Sequence, residues 1–140
     1  LFKEAFTRLF FLFCISNRKG KTMPNESLFS DTIILITREG MGSTDLPLQH
    51  KLLDTYLKLL IENDSLPAII CFYTDGVKLV VEGSPFIERL SQIEQKGVRL
   101  IICSTCLSHF GLSEKVRVGV VGGMSDILEA QIKASKVITL

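Results

Sequence analysis

The sequence predicts an α/β fold: a three-layer α/β/α sandwich around a mostly parallel sheet of about five strands. Two observations carry that expectation. From Asp31 onward, short apolar runs alternate with segments of helical spacing. The apolar runs are continuous rather than alternating, as in strands that are covered on both faces.

Residues 32–37 read as the first strand, apolar and β-branched. A loop over 38–46 follows, holding Gly40-Met41-Gly42-Ser43. Residues 47–63 place Leu48, Leu52, Leu53, Tyr56, Leu59 and Leu60 at helical spacing, with Pro47 suited to the first turn. Residues 67–73 are the second strand; Asp75-Gly76 turns the chain, and 77–82 are ambiguous between helix and strand. Ser84 is placed to cap a helix that begins at Pro85 and turns Phe86, Leu90 and Ile93 inward. Gly97 leads into a third strand over 98–102, and Gly111 closes the short helix after it. A fourth strand is expected over 116–121, a helix over 125–134 and a last strand over 136–140.

Composition narrows the function classes. The content is 46% hydrophobic and 22% charged, as in globular domains, and residues 23–140 read as one such domain. A net charge of +1, no tryptophan and no basic stripe argue against a nucleic-acid partner. Residues 1–22 stand apart. Their apolar run over 9–15 falls well short of the roughly 20 residues a membrane span needs, and no small-residue cleavage site follows it. Met23 looks like an ordinary start. Residues 1–22 are therefore expected as an N-terminal extension outside the core, with no membrane partner. The alternative is a helix packing through Phe2, Phe6, Leu9 and Phe13. Four irregularly spaced cysteines make no disulfide framework, and a CxxC motif beside βαβ units suits a reducing cytoplasm.

That motif, Cys103-Ser104-Thr105-Cys106, lies where the third strand ends and a helix begins. Ligands bind at this edge of open α/β sheets. A thiolate there meets unpaired amides, which lower a cysteine pKa from about 8.5 into the range of about 3.5–7.5. Cys103 is accordingly expected to be the more acidic and reactive of the pair. Two plainer readings stay open: buried cysteines acting as small hydrophobes, and a zinc site using Cys103, Cys106 and His109, which lacks a fourth ligand. No metal and no cofactor is called for. Cys71 reads as core and Cys14 carries no assigned chemistry.

In a parallel sheet the loops over 38–46, 74–78, 103–106 and 122–126 gather on one edge. They supply the candidate pocket: Gly40, Met41, Gly42, Asp75, Gly76, Lys78, Ser104, Thr105, His109 and Met124 around Cys103 and Cys106. Gly40-Met41-Gly42 is not a dinucleotide fingerprint, since Asp45 stands at its third glycine position. It is not a P-loop either, because no Gly-Lys-Ser/Thr follows. His109 is placed either as a proton partner for a thiolate or as an ordinary exposed helix residue.

An ordered series of residues resembles the DsrE/DsrF-like sulfur-relay family, in particular its YedF-type branch, described as sulfurtransferase-like and associated with selenium metabolism. The series is Gly40-Met41-Gly42, Tyr73-Thr74-Asp75-Gly76-Val77-Lys78-Leu79, Glu82-Gly83-Ser84, Gly97-Val98, Cys103-Ser104-Thr105-Cys106-Leu107, Gly111-Leu112, Val118-Gly119, Met124 and Val137-Ile138. The resemblance implies a three-layer α/β/α domain, oligomers, and transfer of sulfane sulfur through a cysteine persulfide on Cys103. Cys106 matches the second cysteine of the branch's Cys-Gly-Thr-Cys motif. Ser104 stands where the branch has glycine, Thr74-Asp75 where it has Asn-Ser, and Gly122-Gly123-Met124-Ser125 where it has Ser-Asn-Met-Tyr. The Cys-Pro-x-Pro motif of a TusA-like domain is missing from this sequence.

Two classes of function follow. One is a sulfur carrier or sulfurtransferase-like protein, a homo-oligomer working with a sulfur donor or acceptor of TusA-like kind. The other is a thiol–disulfide redox protein or a non-catalytic oligomeric binding subunit. Against redox chemistry, all four prolines (Pro24, Pro47, Pro67, Pro85) precede the motif, so no later cis-proline flanks it.

Overall fold

The structure, a computed structural model, describes residues 29–140. The readings of residues 1–22, Cys14 among them, lie outside the described residues. Five strands form one sheet in which every pairing is parallel: β1 (Thr32–Ile36), β2 (Ile69–Phe72), β3 (Arg99–Cys103), β4 (Val120–Gly122) and β5 (Lys136–Thr139), in the order β4-β3-β2-β1-β5. Between them run α1 (Leu46–Glu62), α2 (Ile87–Gln95), the short α3 (Ser104–His109) and α4 (Met124–Lys133).

Strand order dictates the layers. From β1 the chain steps through β2, β3 and β4 in one direction, then returns across the sheet to β5 beside β1. Parallel crossovers are right-handed, so the forward steps put their helices on one face and the return puts α4 on the other. The two faces are consequently unequal. Ile34, Ile36, Ile70, Phe72, Leu100 and Ile102 meet Leu53, Leu57 and Leu60 of α1, Leu90 and Ile93 of α2, and Leu107 of α3. On the second face, Ile33, Leu35, Cys71, Ile101 and Cys103 are met by Ile127 and Ala130 of α4. Each fully buried Leu or Ile contributes roughly 1.5–3 kcal/mol. The first face therefore dominates stability.

Local chemistry sets the boundaries. Asp45 precedes α1, and Pro47 falls in its first turn as expected. Residues 74–82 resolve the ambiguity: a 3₁₀ segment (Thr74–Val80) leads to Val81, which bridges antiparallel to Val116. Two expectations are corrected. α2 begins at Ile87 rather than Pro85; Ser84 Oγ accepts the Phe86 N–H at 3.2 Å, one step ahead of the helix. The fourth strand is only Val120–Gly122, because Val116 is drawn to Val81 and Val118 is buried against the first face. At α4, Asp126 Oδ2 accepts the Gly123 N–H at 2.7 Å and fixes the turn out of β4.

One contact ties the sheet edge together. A Cβ on Gly76 would stand 2.0 Å from the Ile36 carbonyl oxygen, so the 3₁₀ segment lies directly on the end of β1. Gly76→Ala should cost at least about 3 kcal/mol, the upper range for overpacking, because the obstacle is backbone and cannot rotate away. Urea denaturation measures it; an unchanged midpoint would contradict the packing.

Candidate functional site

The carboxyl ends of the strands form one edge, and the cysteine pair stands on it at the end of β3, between β2 and the edge strand β4. Register pairs Cys103 with Gly122 on β4. The chain leaves β3 toward the first face and leaves neighbouring β4 toward the second, so the pair stands beside the point where the connections diverge, the place where open α/β sheets bind ligands. Cys103 ends β3 and packs with the apolar cluster of the second face, leaving it 1% exposed. Cys106, on the first turns of α3, touches both apolar clusters and is only half-buried. The strand-end thiol is the shielded one. The helical thiol is the one nearer solvent.

A third residue completes the arrangement. The Thr74 main-chain N–H donates to Cys106 Sγ at 3.1 Å. Thr74 has φ +50°, the left-handed region, uncommon for any side chain and more so for a β-branched one. Its single hydroxyl proton is shared between the carbonyls of Thr37, just past the end of β1, and of Tyr73. Thus the end of β1, the turn after β2 and the helix after β3 converge on one sulfur atom.

Electrostatics separates the thiols. Burial pushes the Cys106 thiol up, the Thr74 N–H pulls it down, and the adjacent Cys103 pushes it up, leaving it raised overall. Cys71, fully buried on β2, is pushed up to about 11 by burial, with Arg99 opposing.

The other expected pocket residues divide into groups. Lys78 Nζ lies 2.9 Å from Asp75 Oδ1, 3.6 Å from Glu39 Oε2 and 4.8 Å from the centre of the Phe110 ring. This cluster joins the loops after β1 and β2 to the end of α3, and Asp75 first, then Glu39, raise the Lys78 pKa. His109 is exposed and set edge-on to Phe110 at 5.0 Å. Ser104 and Thr105 are exposed in the first turn of α3; Ser104 is helical, so this chain needs no glycine there. Gly40 serves packing, since a Cβ on it would meet the Gln49 Cβ at 2.5 Å, and Met41 N–H donates to the Gln49 carbonyl at 3.1 Å. Gly42 is exposed beside them, and Met124 is 53% exposed at the start of α4. Gly40, Met41 and Gly42 thus line the foot of α1.

A cleft of about 470 Å³ opens on the same edge, lined by Glu39, His50, Lys78, Glu82, Phe110 and Leu112 among others. Lys78 is its one member of the expected pocket, and neither cysteine lines it. His50 Nε2 is buried there without a hydrogen-bond partner. A second cleft, of about 200 Å³, runs beside α4 over Asp31, Ile33, Ile69, Arg99 and Lys133. Among the described residues, no three His, Cys, Asp or Glu side chains converge as a metal site would require. No helix among them is long and apolar enough to cross a membrane. Sequence reasoning placed Thr74 in a loop and assigned it no role; Glu39 and Phe110 were not singled out, and no local pattern marks either.

A family model described as DsrE/DsrF-like matches residues 48–140, a span that holds both cysteines and Thr74 but not Gly40-Met41-Gly42. Solved structures share the fold. A protein of unknown function, MTH1491 from Methanobacterium thermoautotrophicum, is 20% identical with a TM-score of 0.59, over 79% of this chain and 99% of its own. The ychN protein from E. coli is 18% identical with a TM-score of 0.58, over 79% and 99%. A conserved protein of unknown function, BT1422 from Bacteroides thetaiotaomicron, is 16% identical with a TM-score of 0.58, over 79% and 95%. No curated protein sequence matches.

The raised thiols have a consequence for pH. Cys71, Cys106 and the half-buried Tyr56 phenol all hold their protons more tightly folded than unfolded. By linkage their contribution is complete below the unfolded thiol value of about 9 and is lost as pH rises toward the folded values, about 11 for Cys71. Urea midpoints should therefore fall between neutral pH and about pH 10, less steeply in Cys71→Ala. A flat or rising midpoint would contradict the assignment.

Proposed function

The chain belongs to the DsrE/DsrF-like family, and on that premise we propose that it is a sulfur-relay carrier of the YedF type, acting in the cytoplasm through the Cys103–Cys106 pair. The observation that supports this most is the pairing of a shielded thiol with a half-buried one whose sulfur receives a main-chain N–H. Cys106 thiolate attacks the terminal sulfur of a donor persulfide; the new S–S bond forms as the donor thiolate leaves. Cys103 thiolate then attacks the same terminal sulfur, the bond to Cys106 breaks, and Cys106 thiolate is restored. No electrons are gained or lost in either exchange. The sulfur ends on a side chain 1% exposed, away from stray thiols. This order keeps Cys103 as the carrier but makes Cys106 the thiol that meets the donor. A terminal selenium would move by the same displacement, and a TusA-like protein is the proposed donor or acceptor.

Assembly belongs to the same reading. On α4, Met124, Leu128 and Ile132 are 53%, 54% and 74% exposed and fall on one stripe, beside the exposed Val120 and Val121 of the edge strand β4. A second copy of this chain is the proposed cover. An antiparallel two-fold pairing of α4 centred on Leu128 sets Met124 of one copy opposite Ile132 of the other and buries both stripes at once.

Two measurements test these proposals. After incubation with a small persulfide donor, mass spectrometry should show the gain of one sulfur atom on the native protein and on Cys103→Ser, with loading slowed at least tenfold in Cys106→Ser. Loss of two hydrogens instead would indicate a disulfide and redox chemistry; no change would refute relay. Light scattering should give a multiple of the chain mass, and Leu128→Glu with Ile132→Glu should reduce it to one chain. A native protein that scatters as one chain would refute assembly.

A further inference from the structure

We propose that Thr74 is the positioning residue for Cys106: its main-chain N–H, aimed by a left-handed backbone and pinned by its own hydroxyl, favours the thiolate form of Cys106 over what burial alone would allow and steadies the inner sulfur of its persulfide. The persulfide half of this statement rests on the relay reading; the thiolate half does not.

Four observations carry it. The N–H···S contact is 3.1 Å and crosses from the turn after β2 to the helix after β3. A hydrogen bond donated to the charged form of a group favours that form. The backbone that aims this N–H is at φ +50°, where a threonine rests only if its surroundings hold it, and such outliers collect at functional sites. Glycine would adopt the conformation freely, yet the residue present is one with a hydroxyl, and that hydroxyl shares its proton between Thr37 O and Tyr73 O. On the other side, Tyr73 N–H donates to the Ile36 carbonyl at 3.2 Å, and Gly76, without a Cβ, lets the turn lie against that carbonyl. The amide is thus fixed from both sides. Fixed N–H groups of this kind stabilise a developing anion because they do not reorganise when it forms.

Other titratable groups near the thiol come from each packed element. Cys103 lies on β3, Tyr73, Asp75 and Lys78 on the turn and 3₁₀ segment after β2, His109 on α3 itself, and Glu114 and Lys115 on the turn that follows. Asp75 and Lys78 bond each other. All are retained in the variants below, so differences between variants report the amide.

The test is the pH profile of Cys106 alkylation by iodoacetamide, resolved by site with fragment mass spectrometry on the whole chain. Thr74→Gly keeps the backbone conformation but removes the pin; Thr74→Ser keeps the hydroxyl. In Thr74→Gly the midpoint should rise by about one unit, so the neutral-pH rate falls roughly tenfold, while Thr74→Ser stays within about twofold of the native protein. Thr74→Asn, which tolerates the left-handed region, replaces Thr74→Gly if that variant melts early. Equal midpoints in native protein, Thr74→Gly and Thr74→Ser would overturn the proposal, as would equal rises in both variants. If the native protein takes up no sulfur yet the Gly midpoint rises and the Ser midpoint does not, the relay reading fails and the role of Thr74 stands.

Discussion

The turn Tyr73–Gly76 is wedged against the end of β1, and the arrangement of the sheet edge depends on that wedge. Tyr73 N–H donates to the Ile36 carbonyl at 3.2 Å, Gly76 has no room for a Cβ beside the same carbonyl, and Thr74 bonds Thr37 next to it. Holding a threonine at positive φ costs roughly 1–3 kcal/mol. The surrounding contacts offset that cost, and the result is a main-chain donor at a fixed place above β3. Without the wedge, Cys106 would be an ordinary half-buried helical thiol.

Topology explains why the two thiols differ. Cys103 is the last residue of a strand, so its side chain points to one face, and register assigns it the face that α4 covers. Three residues later, Cys106 has turned with the helix toward the other layer and touches both clusters. The pair straddles the sheet edge. Had β4 led back along the same face as the earlier crossovers, Cys103 would have no cover. The thin second layer therefore shields Cys103 even though it adds little to the core.

Much of the fold was legible in the sequence because the strands are continuous apolar runs, and a parallel sheet covered on both faces requires them. Legibility failed where one apolar residue answers to two demands. Val116 and Val118 look like strand, yet Val116 pairs with Val81 and Val118 fills the first face, which leaves three residues for β4. Residues 77–82 read as ambiguous because the segment is a 3₁₀ turn followed by a single bridge. The cysteine pair was legible from its place between strand and helix. Thr74 was not: threonine has no propensity for positive φ, so no residue pattern announces that this one adopts it. Gly40 was legible as part of a loop but not as packing on α1, since close approach depends on where Gln49 lands.

Burial also sorts the cysteines by chemistry. Cys71 lies under the second face and is pushed up to about 11, so at neutral pH it stays a thiol and takes no part in exchange. Cys106 is raised too, but a donor hydrogen bond opposes burial there and solvent is near. Nucleophilicity and thiolate fraction pull in opposite directions as a pKa changes, and the best attacking thiol titrates near the ambient pH. In Cys106 burial outweighs the amide, so the thiol lies above that optimum and the Thr74 N–H is what draws it back toward it.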